Sequence, residues 1–363
     1  LIVLLILIKL RAAQKIIQVI HHIKDNKIYY FRIVITFVSI LCIGTLTEYA
    51  VSYYKKSIFI SYRFLFIVAV YLLICLLFYM RKIIGEKPEV AFLAISLIIG
   101  TLFAFSLPVT THVSWDDETH YKRAVEQSYL NTVILTPADN KMINENIPVT
   151  FLLNEIEQNN NSLRQDYLAG YTDVSGRTYI NLYSRLGHLP SGIMLFIGRN
   201  LELPYNIIFI LGRWANALVY SITVYFAMKK LKTGKMIIAV IALFPTSLFL
   251  ASNYSYDYWV TAFTMLGWAY FISELQQPDK IITLKECIVM IGSFIIGVGP
   301  KVIYIPIMLM LFLIKKQKFK SYSHYKRYQV AIVLSFLFVM GNFIVPFLIN
   351  GLGVGDLRGG NQV

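Results

Sequence analysis

Long apolar runs separated by short basic segments are the main pattern of this chain. A helix that crosses a bilayer needs about 20 apolar residues. Seven runs come close to that length: 28–48, 58–80, 88–108, 204–228, 236–253, 258–275 and 328–349. This repetition predicts an all-α protein that crosses a membrane many times.

Two further apolar stretches depart from the simple pattern. The stretch 284–314 is interrupted by glycine and proline at 297–301, which favours two short tilted helices that form a hairpin. The stretch 189–199 is too short to span a bilayer and indicates an interfacial or re-entrant helix. Counted with the other runs, these stretches predict about nine transmembrane helices plus one short helix.

A long polar segment divides the chain into parts. Residues 109–188 are rich in Asn, Asp and Glu, and we interpret them as one large external loop. Residues 1–87 are expected to form a basic amphipathic segment with two extra transmembrane helices. The core, residues 88–363, would contain the helix 88–108, this loop, helices across 189–349 and an external segment 350–363. Both ends of the sequence are expected to be truncated.

The distribution of charged residues predicts the orientation of the chain in the membrane and argues against nucleic-acid binding. The chain carries 34 Lys and Arg against 20 Asp and Glu, yet only 15% of its residues are charged, where a soluble domain has about 25%. Twenty Lys and Arg in the short loops fall on one side and four on the other. The positive-inside rule therefore places the loop 109–188 outside. Because the basic residues form no continuous patch, nucleic-acid binding is not expected.

The densest group of ionisable residues follows the 88–108 run, in Ser114–Ala124 (SWDDETHYKRA). On a helix, Asp116, His120 and Arg123 share one face, so a carboxylate, an imidazole and a guanidinium would converge beside the membrane. A carboxylate placed there can accept a proton from a substrate hydroxyl. A guanidinium can hold a phosphate.

A purely structural interpretation of the same residues stays open. Ser114 can cap a helix with Asp117 at the third position, a variant of the capping box. Glu118 and Lys122 would then form an ordinary surface pair one turn apart.

Four residues elsewhere are candidates for binding a substrate or its phosphate. Asp257 and Lys301 are each expected at the outer end of an apolar run, although a helix cap and an interfacial lysine would explain them equally well. Arg213 lies inside the 204–228 run and needs an anionic partner that the sequence does not identify. Tyr183 belongs to a tyrosine-containing part of the loop and can stack on sugars or line the membrane interface.

The residues Asp116, Asp117, His120, Tyr121, Arg123 and Ala124 resemble the Asp-Glu-x-x-His-Phe-x-Arg-Ala motif of a bacterial family of predicted membrane proteins, domain of unknown function 2142. Two positions differ, since Asp117 replaces the usual Glu and Trp115 stands where Pro is common. Weaker similarities extend the resemblance over residues 88–363. They lie at 212–216, at Pro245, Ser252 and 255–257, at Lys301, Tyr304 and Pro306, and at 356–360.

The layout of that family is similar to that of type C glycosyltransferases, which use sugars linked to a lipid phosphate. The resemblance implies an inverting enzyme of the bacterial plasma membrane that transfers a sugar from a polyprenyl-phosphate donor to a cell-envelope glycan or glycolipid. Asp116 would be the general base or a ligand of a divalent cation such as Mg²⁺ or Mn²⁺, together with Asp117. His120 would orient the reacting groups, while Arg123 and Lys301 would stabilise the phosphate.

Two other functions remain. A lipid or polysaccharide flippase would use Asp257, Lys301 and Arg213 as charges along a pathway. That function predicts polar residues throughout the membrane depth and an internal repeat, and the sequence has neither feature. A non-catalytic envelope scaffold would leave the shared face of Asp116, His120 and Arg123 unexplained.

Overall fold

The computed structural model describes residues 27–59, 61–129, 134–145, 147, 149–150, 152–170, 172–173 and 183–350. These residues are almost entirely helical, with one two-residue antiparallel ladder. The chain separates into two compact units, residues 1–76 and 77–363. The predicted basic helix at 9–27 and the motif at 356–360 lie almost wholly outside the described residues.

The first unit is built on two long apolar helices, α1 (Lys27–Tyr54) and α2 (Ser61–Tyr79). Glu48 is fully buried in α1 and would be costly to keep there as an isolated charge. Arg63 Nε donates to its carboxylate at 2.6 Å, and Ser52 donates to the same group at 3.1 Å. This ion pair explains how Glu48 and Arg63 are accommodated in two mainly apolar helices.

The second unit contains the other helices. They are α3 (Arg81–Glu86), α4 (Pro88–Ser106), α5 (Asp117–Ser128), α6 (Pro137–Asn144), α7 (Leu153–Leu168), α8 (Leu189–Asn200), α9 (Tyr205–Lys230), α10 (Lys235–Ala242), α11 (Pro245–Ala251), α12 (Asp257–Leu275), α13 (Leu284–Val298) and α14 (Tyr322–Asn350). The 3₁₀ segments are Leu186–His188, Val302–Leu313 and Lys316–Lys318. The strands β1 (Ile134–Leu135) and β2 (Thr172–Asp173) form the ladder.

Helix α9 is the centre of this unit. It packs against α4, α8 and α12, and α12 in turn packs against α13. Small residues permit close approach: a Cβ atom at Gly100 of α4 would lie 3.0 Å from Ala217 of α9. The arrangement brings the start of α12 and the end of α13 to one end of the helices. Asp257 and Lys301 meet at that end.

Where the structure describes it, the long polar segment is a folded layer of helices. Helices α5, α6 and α7 bury a core of their own that includes Ala124, Met142 and Leu163. This core continues onto α8 and α9 through Leu195 and Phe209. Apolar residues within a segment that is polar on average are therefore what attach the layer to the helices below it.

A buried hydrogen-bond network fixes the same layer in place. The hydroxyl of Tyr121 donates to Asp139 Oδ1 at 2.6 Å and lies 2.9 Å from the hydroxyl of Tyr205 at the start of α9. Asp139 also completes a capping box with Thr136 at the start of α6. One buried carboxylate thus joins two helices of the layer to a helix of the bundle.

Three local predictions can be compared with these helices. The stretch 189–199 forms the short helix α8, and the apolar run after 284 breaks at 299–301, as expected. The second arm of that break is a 3₁₀ segment that contains Pro306. The prediction of one continuous helix over 236–253 is wrong, because Pro245 has no N–H and begins a new helix, α11.

Four helices among the described residues are long and apolar enough to cross a membrane: Phe31–Tyr54, Pro88–Ser106, Tyr205–Lys230 and Tyr322–Val345. Two shorter apolar helical segments, Arg63–Tyr79 and Val302–Leu313, fall below the required length among these residues. The structure therefore supports a multi-helix membrane protein with four candidate spans.

An ion network closes the end of the helices that lies away from Lys301. Glu274, near the end of α12, is only 1% exposed. Its carboxylate forms ion pairs with Lys280 at 3.0 Å and with Lys318 at 3.2 Å. Lys230 at the end of α9 lies 2.6 Å from Glu286 at the start of α13. The basic segment 315–327 is therefore partly internal, since its Lys318 is buried.

Candidate functional site

The motif that begins at Ser114 adopts a different helix start from the one expected. Helix α5 begins at Asp117, and Asp116 precedes it without capping the helix through its side chain. The predicted capping box with Ser114 as the cap is therefore wrong. Asp116 is exposed and has a φ of 59°, a left-handed conformation that is uncommon for a residue with a side chain. Strain of this kind is often found at functional sites.

Asp117 points in the opposite direction and is fully buried. Its Oδ2 accepts the backbone N–H groups of Val113 and Ser114 at 3.1 and 3.0 Å. The side-chain amide of Asn253, from the segment before α12, approaches the same oxygen at 3.4 Å. Burial raises the pKa of Asp117 to about 6, and the backbone hydrogen bonds offset only part of that effect. The carboxylate therefore holds the turn on which Asp116 is displayed.

Two histidines meet on the next turn of α5. His120 Nδ1 lies 2.9 Å from His188 Nε2, and both side chains are buried. Burial lowers the pKa of His120 to about 4, with a further contribution from the charge of Arg123. Burial also holds the pKa of His188 well below its usual range. Both imidazoles are consequently neutral at pH 7, and one nitrogen of the close pair donates to the other.

Tyr256 joins the histidines to an ion pair. Its ring meets that of His120 edge to face, with centroids 4.7 Å apart. Lys301 Nζ lies 5.1 Å from the centre of the Tyr256 ring and donates to Asp257 Oδ1 at 2.6 Å. The side chains of Lys301 and Asp257 are 32% and 34% exposed, so this pair remains open to solvent.

Electrostatic effects indicate that the remaining charges lie within range of the Tyr256 hydroxyl. Burial raises the pKa of Tyr256, and the charges of Lys301, Asp257, Arg123 and Asp116 all modify it. Partial burial opposes the charge of Lys301, but the hydrogen bond and charge of Asp257 outweigh it and raise the pKa of the lysine. Asp116, His120, Arg123, Asp257 and Lys301 thus form one group, which we call the Tyr256 cluster together with His188 and Tyr256.

The segment that carries His188 is held against α5. A buried ion pair joins Arg185 to Glu126, and Gln127 Nε2 donates to the backbone carbonyl of Arg185 at 2.9 Å. A Cβ atom at Gly187 would lie 2.7 Å from Tyr256 Cβ, so only glycine allows this close approach. These contacts explain how a residue 68 positions after His120 reaches it.

Arg213 lies beside the cluster and has a supporting role. It is fully buried in α9, and its guanidinium donates to the backbone carbonyls of Pro108 at 2.7 Å and Thr110 at 2.6 Å. Its charge also lowers the pKa of Asp117, although burial dominates that pKa. The sequence could not identify a partner for the charge of Arg213, and backbone carbonyl oxygens provide most of it. The same hydrogen bonds connect α9 to the segment that leads into α5.

Tyr183 is held at a different place. Its hydroxyl donates to the carbonyl of Ile295 in α13 at 2.7 Å, and its ring meets Phe338 of α14 edge to face. A Cβ atom at Gly299 would lie 3.0 Å from the carbonyl oxygen of Tyr183. The residue thus packs between α13 and α14, close to the break that displays Lys301.

The carboxylates of the motif do not share a ligand position. Asp116 is exposed, whereas Asp117 directs one oxygen to backbone N–H donors. Over the part of the chain that the structure describes, no group of three or more His, Cys, Asp or Glu side chains is arranged to hold a metal ion.

Sequence reasoning missed four members of this arrangement: Glu126, His188, Asn253 and Tyr256. Each occurs among ordinary polar or aromatic residues, with no motif of its own. The available signal was indirect, since Asn253 and Tyr256 shortly precede Asp257 in a polar break between apolar runs. His188 directly precedes the short apolar helix α8 in the same way.

Comparison with known proteins adds one match. The family model described as "Predicted membrane protein (DUF2142)" matches residues 97–351. This range contains every residue of the Tyr256 cluster. Neither a curated protein nor a solved structure matches the chain.

Proposed function

Because the chain belongs to the family of predicted membrane proteins of domain of unknown function 2142, as the motif Asp116–Ala124 indicated, we propose a function from the cluster that this motif helps to form. The proposed activity is transfer of a sugar from a polyprenyl-phosphate-linked donor to a hydroxyl of a cell-envelope glycan or glycolipid. The chain is then an inverting glycosyltransferase with a type C-like arrangement.

One observation carries the proposal. An exposed carboxylate, Asp116, directly precedes the helix that carries His120 and Arg123, and Lys301 lies against the Tyr256 ring that His120 contacts. Sugar transfer from a lipid phosphate needs a base for the acceptor and positive charge for the leaving phosphate. It also needs both at the edge of a membrane, because the lipid stays in the bilayer while its sugar reaches water.

The proposed transfer exchanges one bond at the anomeric carbon of the sugar for another. The acceptor oxygen forms a bond to the anomeric carbon while its proton passes to Asp116. The bond between the anomeric carbon and the phosphate oxygen breaks, and its electron pair leaves with the polyprenyl phosphate. Arg123 and Lys301 stabilise the negative charge that grows there. Attack from the side opposite the phosphate inverts the configuration of the sugar.

The other residues of the cluster position these groups. Asp117 fixes the turn that carries Asp116, through its bonds to Val113 and Ser114. His120 and His188 are neutral because burial lowers their pKa values, so they add no further charge to the site. Trp115 is 90% exposed beside Asp116 and offers an aromatic face on which a sugar ring can pack.

The proposal includes a membrane topology. The layer 109–188 lies on the outer face of a bacterial plasma membrane, as the charge distribution indicates. Additional crossings would come from α12 and from the arms on either side of Lys301, which brings the total towards about nine. Asp257 and Lys301 would then face the outer aqueous boundary beside the lipid phosphate.

The direct test is a transfer assay with the full chain in proteoliposomes. A panel of polyprenyl-phosphate sugars is supplied with envelope glycans, and donor consumption and new glycosidic bonds are measured. Asp116→Asn should lower the rate by about 10²–10⁴, while Asp166→Asn, which alters an exposed ion pair on α7, should leave it unchanged. A wild-type chain that consumes no donor, or an Asp116→Asn variant at the wild-type rate, would overturn the proposal.

Exchanging the charges of Asp257 and Lys301 tests whether Lys301 binds the phosphate or only pairs with Asp257. The double variant Asp257→Lys with Lys301→Asp retains the ion pair and should keep the thermal stability of the wild type. If Lys301 contacts the leaving phosphate, transfer should remain at least tenfold below wild type. Full recovery of transfer in the double variant would show that Lys301 serves only as the partner of Asp257.

A further inference from the structure

A large groove lies between α13 and α14, at the end of these helices away from the Tyr256 cluster. Its volume is about 860 Å³, and its walls are mainly aliphatic. On α13 the wall runs from Leu284 through Ile288 and Ile291 to Ile295. Gly292 lies within this wall, and a Cβ atom there would meet nothing within 4 Å. The groove is therefore open space and not a tightly packed helix contact.

Positive charge is confined to one end of the groove. Lys320, His324 and Arg327 line this end and are all exposed. Among the described residues, neither Lys320 nor Arg327 belongs to an ion pair, although the lysines nearby at 280 and 318 are paired with Glu274. Glu274 and Glu286 are thus already paired with other lysines, and the two cations at the groove remain available for another anion.

The length of the apolar wall matches one half of a bilayer. From Leu284 to Ile295 a helix rises about 16 Å, and the hydrocarbon of one leaflet is about 15 Å thick. The cations lie at the end of the groove near Leu284, and aliphatic side chains line the rest of its length. A phospholipid has the same order, with a charged phosphate at the surface and acyl chains below.

We propose that this groove, which we call the α13–α14 groove, is a binding site for one anionic phospholipid. Its phosphate pairs with Lys320 and Arg327, and an acyl chain lies along α13 past Gly292. Charge complementarity selects this occupant over the basic segment 9–27 of the chain itself, whose lysines and arginine would be repelled. The site is independent of the sugar-transfer proposal, since it lies at the opposite end of α13 from Lys301.

The test measures lipid preference of the full chain. The protein is reconstituted in nanodiscs that contain equal amounts of phosphatidylcholine and phosphatidylglycerol, and retained lipids are counted by native mass spectrometry. Each cation near an anionic headgroup contributes about fivefold in affinity. The double variant Lys320→Gln with Arg327→Gln should therefore lose about 25-fold in preference for phosphatidylglycerol.

A matched control variant distinguishes a specific lipid site from general electrostatic attraction to anionic lipids. Lys315→Gln with Lys316→Gln removes the same charge from exposed residues of the same connection, but neither lines the groove. This variant should retain the wild-type preference. An equal loss in both double variants, or no loss in the first, would overturn the proposal.

A third variant tests the apolar part without changing charge. Gly292→Leu places a side chain in the open space of the groove and replaces glycine by a better helix former, so the fold should be retained. Bound phosphatidylglycerol should fall several-fold in this variant. Wild-type binding by Gly292→Leu would show that no acyl chain occupies the groove. Binding of an unrelated amphiphile in place of phosphatidylglycerol would likewise reject the proposed ligand.

Discussion

Replacement of Asp117 by asparagine is expected to remove a pH-dependent destabilisation of the folded protein. Burial raises the pKa of Asp117 from its ordinary value of 3.8 to about 6. The folded state therefore binds a proton more readily than the unfolded state. The stability linked to this group is present below pH 3.8 and is lost as the pH rises through 6.

The size of the effect follows from the same shift. A shift of about 2 units corresponds to about 3 kcal/mol, at 1.4 kcal/mol per unit. Asparagine never carries the charge and keeps an oxygen for the N–H groups of Val113 and Ser114. However, its amide would replace Oδ1, which has no hydrogen-bond partner among the described residues. An unsatisfied amide costs about 1–3 kcal/mol, so the net gain at pH 7.5 should be about 1 kcal/mol.

Thermal unfolding of the purified chain between pH 4.5 and 8 measures this change. The wild type should lose stability from pH 4.5 to about 6 and level off above that pH, and Asp117→Asn should show a flatter profile and a slightly higher Tm at pH 7.5. Asp166→Asn, at an exposed ion pair, is the control and should follow the wild type. A variant with the wild-type pH profile, or one that loses more than about 2 kcal/mol at pH 7.5, would refute the reasoning.

Two further predictions concern stability and use the same unfolding assay. Gly212→Ala should lose about 1–3 kcal/mol, because the new Cβ atom would lie 3.0 Å from Cζ of the buried Tyr254; Gly292→Ala, with no atom within 4 Å, should lose nothing. Equal effects of the two alanines would contradict this packing. Asp139→Ala should lose about 1.5–3 kcal/mol, because the buried hydroxyl of Tyr121 donates to that carboxylate at 2.6 Å, and an unchanged Tm would reject this role.

Local features of the fold were predictable because their causes are local. The break at 299–301 follows from the adjacent Gly299 and Pro300, which disfavour a continuous helix. The short helix α8 follows from the length of its apolar stretch. Pro245 carried the same kind of signal within 236–253, but a hydropathy average over about 20 residues does not register one missing N–H.

The candidate site was predictable only in part. The helical spacing of Asp116, His120 and Arg123 assumed that Asp116 belongs to the helix, whereas it precedes α5 in a left-handed conformation. Asp117 was predicted to complete a capping box or to bind a cation with Asp116, but it is buried. Its partner Asn253 lies 136 positions away, so spacing within one helix could not reveal the contact.

The sequence by itself determined the class of this protein and the chemical groups at its disposal. Apolar length and charge bias are summed along the chain, so they can be read without the fold. The tertiary structure alone decided which groups meet. Packing of α9 against its neighbours brings His188, Tyr256 and Lys301 to His120, and it leaves Asp116 exposed while burying Asp117. The same packing sets the pKa values, because burial depends on every element around a side chain and not on its own helix.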